Sequence, residues 1–101
     1  MVILERLVQS IVPGKWVELE ALDKRFDAVE ARYGFPPKQR FQCIGGSLPM
    51  ETLVIERIWP SLAVSEDAYT RLMMDPEWQQ LSVETIAIIK KNVRELYRVL
   101  S

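Results

Sequence analysis

The most constraining feature of the sequence is the run from Thr52 to Trp78, where a strand pattern stops at a proline and a broken helix follows. Residues 52–59 read T-L-V-I-E-R-I-W, and β-branched and aromatic side chains favour extended backbone. Pro60 ends the strand, because proline has no N–H to donate to a sheet. Further on, Asp75 can cap a helix and Pro76 suits its first position. The run therefore predicts an inner strand followed by a helix in two parts.

The first part of this helix is predicted to begin at Ser65, a good N-cap residue with Glu66 and Asp67 behind it. The second part carries apolar residues on two helical stripes, which predicts a helix buried on two sides. The stripes comprise Trp78, Leu81, Thr85, Ile88 and Asn92, and Val83, Ile86, Ile89 and Val93. The tail from Arg94 to Leu100 alternates; it could continue the helix, but a strand is favoured because it would complete the sheet.

The first half of the chain supplies a strand, a helix and a second strand. Val2 to Val12 is a strand candidate with no cleanly polar face, so both of its sides are expected to be covered. Residues 14–33 form an amphipathic helix, ended by Gly34, which can adopt a left-handed cap. Arg40 to Ile44 alternates like a short strand. The apolar side of the helix carries Trp16, Leu19, Leu22, Phe26, Val29 and Tyr33, and the opposite, polar side carries Glu20, Asp23, Lys24, Asp27 and Glu30.

Together these elements predict an α+β, ferredoxin-like β-α-β-β-α-β fold over residues 1–101 as one domain. Right-handed connections place the four antiparallel strands in the order fourth, first, third, second. The third strand is then interior, and its outer face is too apolar to meet water. A homodimer of facing sheets would cover it.

Composition excludes several classes of function. The chain has no histidine and one cysteine, which removes histidine-dependent nucleophilic catalysis, histidine-ligated haem and a structural zinc site. We therefore predict no metal and no cofactor. A net charge of −1 is unlike that of a nucleic-acid-binding surface. The opening residues do not form a signal peptide, and no apolar run is long enough to cross a membrane. With a single cysteine, a cytoplasmic location is expected.

Four residues are candidates for binding a ligand. Trp59 and Trp78 flank the first part of the broken helix, where aromatic rings can stack on a flat molecule. Tyr69 lies between them in sequence and can donate a hydrogen bond, and Arg57 adds a positive charge at the end of the strand. The alternative is that the aromatic residues fill the core.

Two carboxylates are candidates for catalysis. Glu5 with Arg6 and Glu56 with Arg57 lie on strands that are predicted to be neighbours. A carboxylate in an apolar cleft would have a raised pKa and could act as a general base. The alternative is that opposite charges pair across the sheet and stabilise it.

The chain resembles the dimeric α/β-barrel superfamily, and within it NIPSNAP-like proteins. The resemblance is carried by P-G-K at the end of the first strand (Pro13 to Lys15), by an aromatic end to the third strand, and by D-P-E-W in the broken helix (Asp75 to Trp78). It implies a homodimeric barrel with a cleft between sheet and helices that binds a small apolar or aromatic molecule. The alternative is a cofactor-independent monooxygenase or isomerase of the antibiotic-biosynthesis type. Whether the chain is an enzyme stays open at this point.

Overall fold

A computed structural model describes all residues from Met1 to Ser101. The strands and helices follow one another in the predicted order, and the last helix is divided in two. They are β1 (Ile3–Ile11), α1 (Trp16–Ala31), β2 (Gln39–Gln42), β3 (Thr52–Trp59), α2 (Leu62–Met73), α3 (Pro76–Thr85) and β4 (Ile89–Arg98). None of the helices combines the length and the apolar character needed to span a bilayer.

The four strands form one antiparallel sheet in the order β2-β3-β1-β4, which confirms the predicted order. Glu5 lies opposite Arg57, and Arg6 lies opposite Glu56. Because side chains alternate across a strand, the first pair points to one face of the sheet and the second to the other. The helices cover the face that carries Glu5, which we call the inner face, and leave the outer face open.

The main core lies between the inner face and the helices. It is built from buried aliphatic residues of the strands and of all three helices, and includes Ile11, Leu19, Leu22, Val29, Leu53, Ile55, Leu72, Leu81 and Ile88. A smaller cluster of Ile3, Trp59 and Ala68 closes one end. This burial stabilises the fold because it removes apolar surface from water.

The predicted apolar side of α1 is confirmed, since Leu19, Leu22 and Val29 are buried. Gly34 has a φ of 73° and supplies the left-handed turn after the helix. The predicted polar side does not lie wholly in solvent. Asp23 is buried and Glu30 is only partly exposed, because both approach cations that follow the helix.

The predicted start of α2 at Ser65 is also wrong. Ser61 is the N-cap, and its hydroxyl accepts a hydrogen bond from the Val64 amide at 3.2 Å. Ser65 is buried within the first turns of the helix, where its hydroxyl donates to the Leu62 carbonyl. The helix therefore begins almost directly after Pro60.

The predicted break at Asp75 is confirmed. Its carboxylate accepts hydrogen bonds from the amides of Glu77 and Trp78 at 2.8 and 3.2 Å, so it caps α3, and Pro76 is the first helical residue. The prediction that α3 continues to Val93 is wrong. The helix ends at Thr85, and β4 begins at Ile89, so the favoured C-terminal strand is present but starts earlier than predicted.

Candidate functional site

The side chains leave a cavity of about 220 Å³ between the inner face of the sheet and the helices. A cavity of roughly 150 Å³ takes benzene, so this one has room for one or two fused rings. Its apolar lining consists of Leu7, Phe26, Ile55, Tyr69, Leu72 and Trp78, and its polar lining of Gln9, Glu30, Lys38, Arg57, Ser82, Thr85, Asn92 and Arg94. The cavity is therefore apolar on one part of its wall and rich in hydrogen-bonding groups on the other.

Two antiparallel helices, α1 and α3, form the roof of the cavity. At one end of the roof, the terminal guanidinium nitrogens of Arg25, Nη1 and Nη2, donate to Glu84 at 2.8 and 2.9 Å. At the other end, Arg32 donates to Glu77 at 3.0 Å, and the Tyr33 hydroxyl donates to the Asp75 carboxylate at 2.6 Å. The roof is thus tied at both ends, and Phe26 of α1 and Trp78 of α3 face the cavity between these ties.

Glu5 lies behind the polar wall of the cavity and contacts two of the arginines that line it. It is 1% exposed and accepts hydrogen bonds from Arg94 Nε at 2.6 Å and Trp59 Nε1 at 3.2 Å, while Arg57 Nη1 lies 3.6 Å away. Burial alone would raise the pKa of Glu5, but hydrogen bonds from Tyr69, Arg94 and Trp59 outweigh it and lower that pKa. The expected rise of its pKa is wrong, and the carboxylate stays ionised.

Arg57 is almost completely occupied by protein groups. Its Nη2 donates to the Glu30 carboxylate and its Nε donates to the Pro36 carbonyl at 3.3 Å. Its guanidinium lies 5.0 Å from the ring centre of Phe35, within cation–π range. Although it lines the cavity, Arg57 has little hydrogen-bonding capacity left for a ligand.

Glu30 and Lys38 form the other charged edge of the cavity. Lys38 Nζ lies 2.8 Å from Asp23, 2.9 Å from Asp27 and 3.5 Å from Glu30. Burial raises the pKa of Glu30, and the attraction of Arg57 and Lys38 does not fully cancel that effect. Glu30 is therefore a carboxylate at the cavity whose proton affinity is increased.

The structure separates the residues that the sequence proposed as one site. Tyr69, Trp78 and Arg57 line the cavity. Trp59 does not: it is fully buried and packs edge-on against Phe35 at a centroid distance of 5.0 Å. The two tryptophans therefore do not form an aromatic pair around a ligand.

The two predicted carboxylates also lie apart. Glu5 stands behind the cavity wall as the partner of its arginines, whereas Glu56 is on the outer face, where its carboxylate lies 3.8 Å from Arg6. The geometry therefore favours the alternative interpretation, in which opposite charges pair across the sheet. Arg6 pairs with Glu56, and Arg57 lies beside Glu5.

Sequence reasoning missed Glu30, Lys38 and the role of Arg94 in the cavity. Glu30 has the spacing of a solvent-facing helix residue, and Lys38 follows two prolines with no local pattern. Arg94 is one of several charged residues in an alternating tail. Only the packing of α1 against the sheet and the pairing of β4 with β1 within it bring these groups together.

No protein-family model matches the sequence, and no curated protein matches it. Solved structures do match. A NIPSNAP family protein from Agrobacterium tumefaciens is 20% identical, with a TM-score of 0.82 over 97% of this chain and 92% of that one. An uncharacterised NIPSNAP domain protein from Burkholderia xenovorans is 15% identical, with a TM-score of 0.84 over 98% and 95% of the two chains.

A third match is SnoaB, a cofactor-independent oxygenase from Streptomyces nogalater. It is 17% identical, with a TM-score of 0.73 over 99% of this chain and 94% of that one. At these identities the likeness establishes the fold. The resemblance inferred from the sequence is thereby confirmed for the architecture, which is NIPSNAP-like and ferredoxin-like.

Proposed function

We propose that this NIPSNAP-like chain binds a small aromatic molecule in the cavity between its sheet and its helices. The observation that carries the proposal is the cavity itself, about 220 Å³ in volume, in a chain with enough apolar residues to have filled it. The cavity is partly open to solvent. A ligand that occupies it would remove the apolar part of its lining from water, which favours binding.

The lining favours a flat, apolar molecule. Phe26 and Trp78 line the cavity from the roof, and Leu7 and Ile55 from the sheet. Aromatic rings offer large faces for offset or edge-on stacking, and the aliphatic residues exclude water from a bound ring. The polar wall would then fix the orientation of the ligand, as a few polar groups do in most small-molecule sites.

Titration with one-ring and two-ring aromatic compounds tests this proposal. Binding of 2-naphthol or 2-naphthamide with a Kd of about 1 mM or tighter is expected to shift the indole signal of Trp78 in NMR spectra. The fully buried Trp59 should respond less. If none of these compounds moves the Trp78 signal, the cavity is not a binding site for aromatic molecules.

A cavity-filling variant supplies the matched control. Ser82 lines the cavity, whereas Gln80, on the same helix, is exposed. Ser82→Trp is expected to abolish binding and Gln80→Trp to leave it unchanged. Equal binding by the two variants would contradict the location of the site.

A homodimer of facing sheets is the second part of the proposal. The outer face carries exposed Phe41, Ile58, Val93 and Tyr97, an apolar surface of the kind that marks protein interfaces. At its centre Arg6 is paired in register with Glu56 on one side and with Glu95 on the other. Arg6 Nε and Glu95 Oε1 are buried without hydrogen-bond partners. A second copy would cover the apolar surface and offer these polar atoms partners.

A cofactor-independent oxygenase is the alternative function, and Glu30 favours it. This carboxylate borders the cavity and has a raised pKa, as a general base requires. Glu30 would remove a proton from the acidic CH₂ group of a one- or two-ring aromatic ketone. The carbanion would transfer electrons to O₂, with one oxygen atom entering the product as a carbonyl and the other leaving as water.

Oxygen uptake with one- and two-ring aromatic ketones and quinols separates this alternative from simple binding. Glu30→Gln is expected to lower the rate at least about tenfold, because a positioned base contributes roughly 10²- to 10⁴-fold. Glu20→Gln, an exposed position on the same helix, should retain full activity. An absence of turnover across the panel, or a fully active Glu30→Gln variant, would exclude Glu30-dependent oxygenation.

A further inference from the structure

The cavity contains one cation whose hydrogen-bonding groups are largely unused. Arg57 and Lys38, the other two, are occupied by carboxylates and a carbonyl. Arg94 donates its Nε to Glu5, and Tyr69 is its other side-chain hydrogen-bonding neighbour. Its two terminal nitrogens, Nη1 and Nη2, reach no carboxylate and no carbonyl, and its side chain is 39% exposed.

The position of Arg94 is fixed from two sides. The Glu5 carboxylate holds its Nε, and the ring of Tyr69 lies 4.7 Å from its guanidinium carbon. No carboxylate or carbonyl of the protein pairs with the edge formed by Nη1 and Nη2. That edge matches the two oxygens of a carboxylate, because a guanidinium can donate two parallel hydrogen bonds to it.

Two amide side chains lie on the same face of the sheet as Arg94. Gln9 and Asn92 are opposite each other in the β1–β4 ladder, Asn92 is two residues before Arg94, and both amides line the cavity. Each amide offers two N–H donors and one acceptor. The aromatic wall, with Trp78 and Phe26, lies across the same cavity.

We infer that the ligand of this cavity is an aromatic carboxylate, whose carboxylate pairs with Arg94 and whose ring packs against Trp78 and Phe26. This inference rests on the proposed binding function and specifies its ligand class. Arg94 recognises the charge, Gln9 and Asn92 donate further hydrogen bonds to the carboxylate oxygens, and the volume limits the ring system to one or two fused rings.

A pair of isosteric ligands tests the role of charge. The protein is titrated with 2-naphthoate and with neutral 2-naphthamide, and Trp78 is followed by NMR. The carboxylate is expected to bind at least about tenfold more tightly than the amide, since charge-assisted, bidentate hydrogen bonds are the strong ones. Equal affinities for the two compounds would overturn the inference while leaving the binding function intact. If neither compound binds, the binding function fails and the inference fails with it.

Variants on one face of β4 test whether Arg94 causes the preference for the carboxylate over the amide. Arg94→Gln is expected to remove the tenfold preference for the carboxylate, whereas Arg98→Gln, four residues further along the same strand, should keep it. Arg94→Lys retains the charge beside Glu5 but lacks the planar fork, so it should fold and lose most of the preference. Retention of the full preference in Arg94→Gln and Arg94→Lys, each shown to be folded by circular dichroism, would overturn the assignment of Arg94.

Discussion

Arg94 Nε donates a 2.6 Å hydrogen bond to Oε2 of Glu5, which joins an exposed residue on the edge strand β4 to a buried residue on the interior strand β1. A buried carboxylate is costly unless charges and hydrogen bonds compensate it. Glu5 has such compensation from both Arg57 and Arg94. Its main contribution is therefore to hold these cations in place at the cavity wall.

Glu5→Gln is expected to lower the free energy of unfolding by about 3 kcal/mol, since it leaves two arginines without their shared counter-charge. Urea unfolding near neutral pH measures this loss. Glu20→Gln, which removes an exposed pair with Arg40, should cost less than about 1 kcal/mol. A loss in Glu5→Gln as small as in this control would show that the Glu5 network does not stabilise the fold.

The Glu5 contribution is also expected to depend on pH. Its pKa in the folded protein lies below the ordinary value of 4.5, so the unfolded chain takes up the proton first as the pH falls. The stabilisation is complete above about pH 4.5 and disappears as the pH falls through the folded pKa. Wild type and Glu5→Gln should therefore converge in stability in acid. A difference that stays constant down to the acid transition would contradict the lowered pKa.

Lys38→Met is expected to destabilise the protein by about 3 kcal/mol, because the buried Asp23 and the partly buried Glu30 both lose a cation. Lys24→Met, at an exposed position, should change stability by less than about 0.5 kcal/mol. The pKa of Lys38 is raised above 10.5 by Glu30 and Asp23, against the opposing effect of burial. Its contribution should persist to alkaline pH and vanish only as the pH rises through that pKa. Thermal unfolding over a pH series measures both effects.

Ser61→Ala removes the N-cap of α2 and is expected to cost about 1 kcal/mol, whereas Ser61→Gly should cost only a few tenths. Thr70→Ala lies on the exposed side of the same helix, where its hydroxyl donates to the Glu66 carbonyl, and should be nearly neutral. Urea midpoints of the three variants test the cap. Equal effects of Ser61→Ala and Thr70→Ala would place the start of α2 elsewhere.

Ile58→Lys tests the proposed dimer without disturbing the core. Ile58 is 52% exposed on the outer face, so in a single chain the lysine would remain in water at little cost. Between two facing sheets it would bury a charge and is expected to produce monomers in light scattering. Val17→Lys, at an exposed position on α1, should remain dimeric. A wild-type protein that is monomeric at micromolar concentration would exclude the dimer.

The sequence predicted the strands and their order well because proline and glycine mark the ends of β1 and β3. It failed between Thr85 and Ile89. The residues Ile86 to Ile89 fit a helical stripe as well as a strand, and neither glycine nor proline marks the turn. Only the pairing of β4 with β1 decides between these structures.

The site was less predictable because its polar groups come from distant elements. Tyr69 and Trp78, which the sequence analysis selected as aromatic residues near a helix break, line the cavity, and their role in binding stays a prediction. Trp59 was misplaced because sequence proximity to the break does not show which way a strand side chain points. The sequence does not show that Glu30 and Lys38 border the cavity, because their position depends on the packing of α1 against the sheet. There the Glu30 carboxylate pairs with Arg57.

The side-chain contacts that join α1 to α3 at the two ends of the roof control how a molecule enters the cavity. Arg25–Glu84 and Arg32–Glu77 are largely exposed pairs, so dissolved salt screens them. The Tyr33–Asp75 hydrogen bond is uncharged on one side and is less sensitive. Raising the ionic strength should therefore release the Arg25 end first, and amide hydrogens in the last turn of α3 should exchange sooner than those beside Asp75. In that case the C-terminal end of α3 would move away from α1 first, and the break between α2 and α3 would act as the hinge.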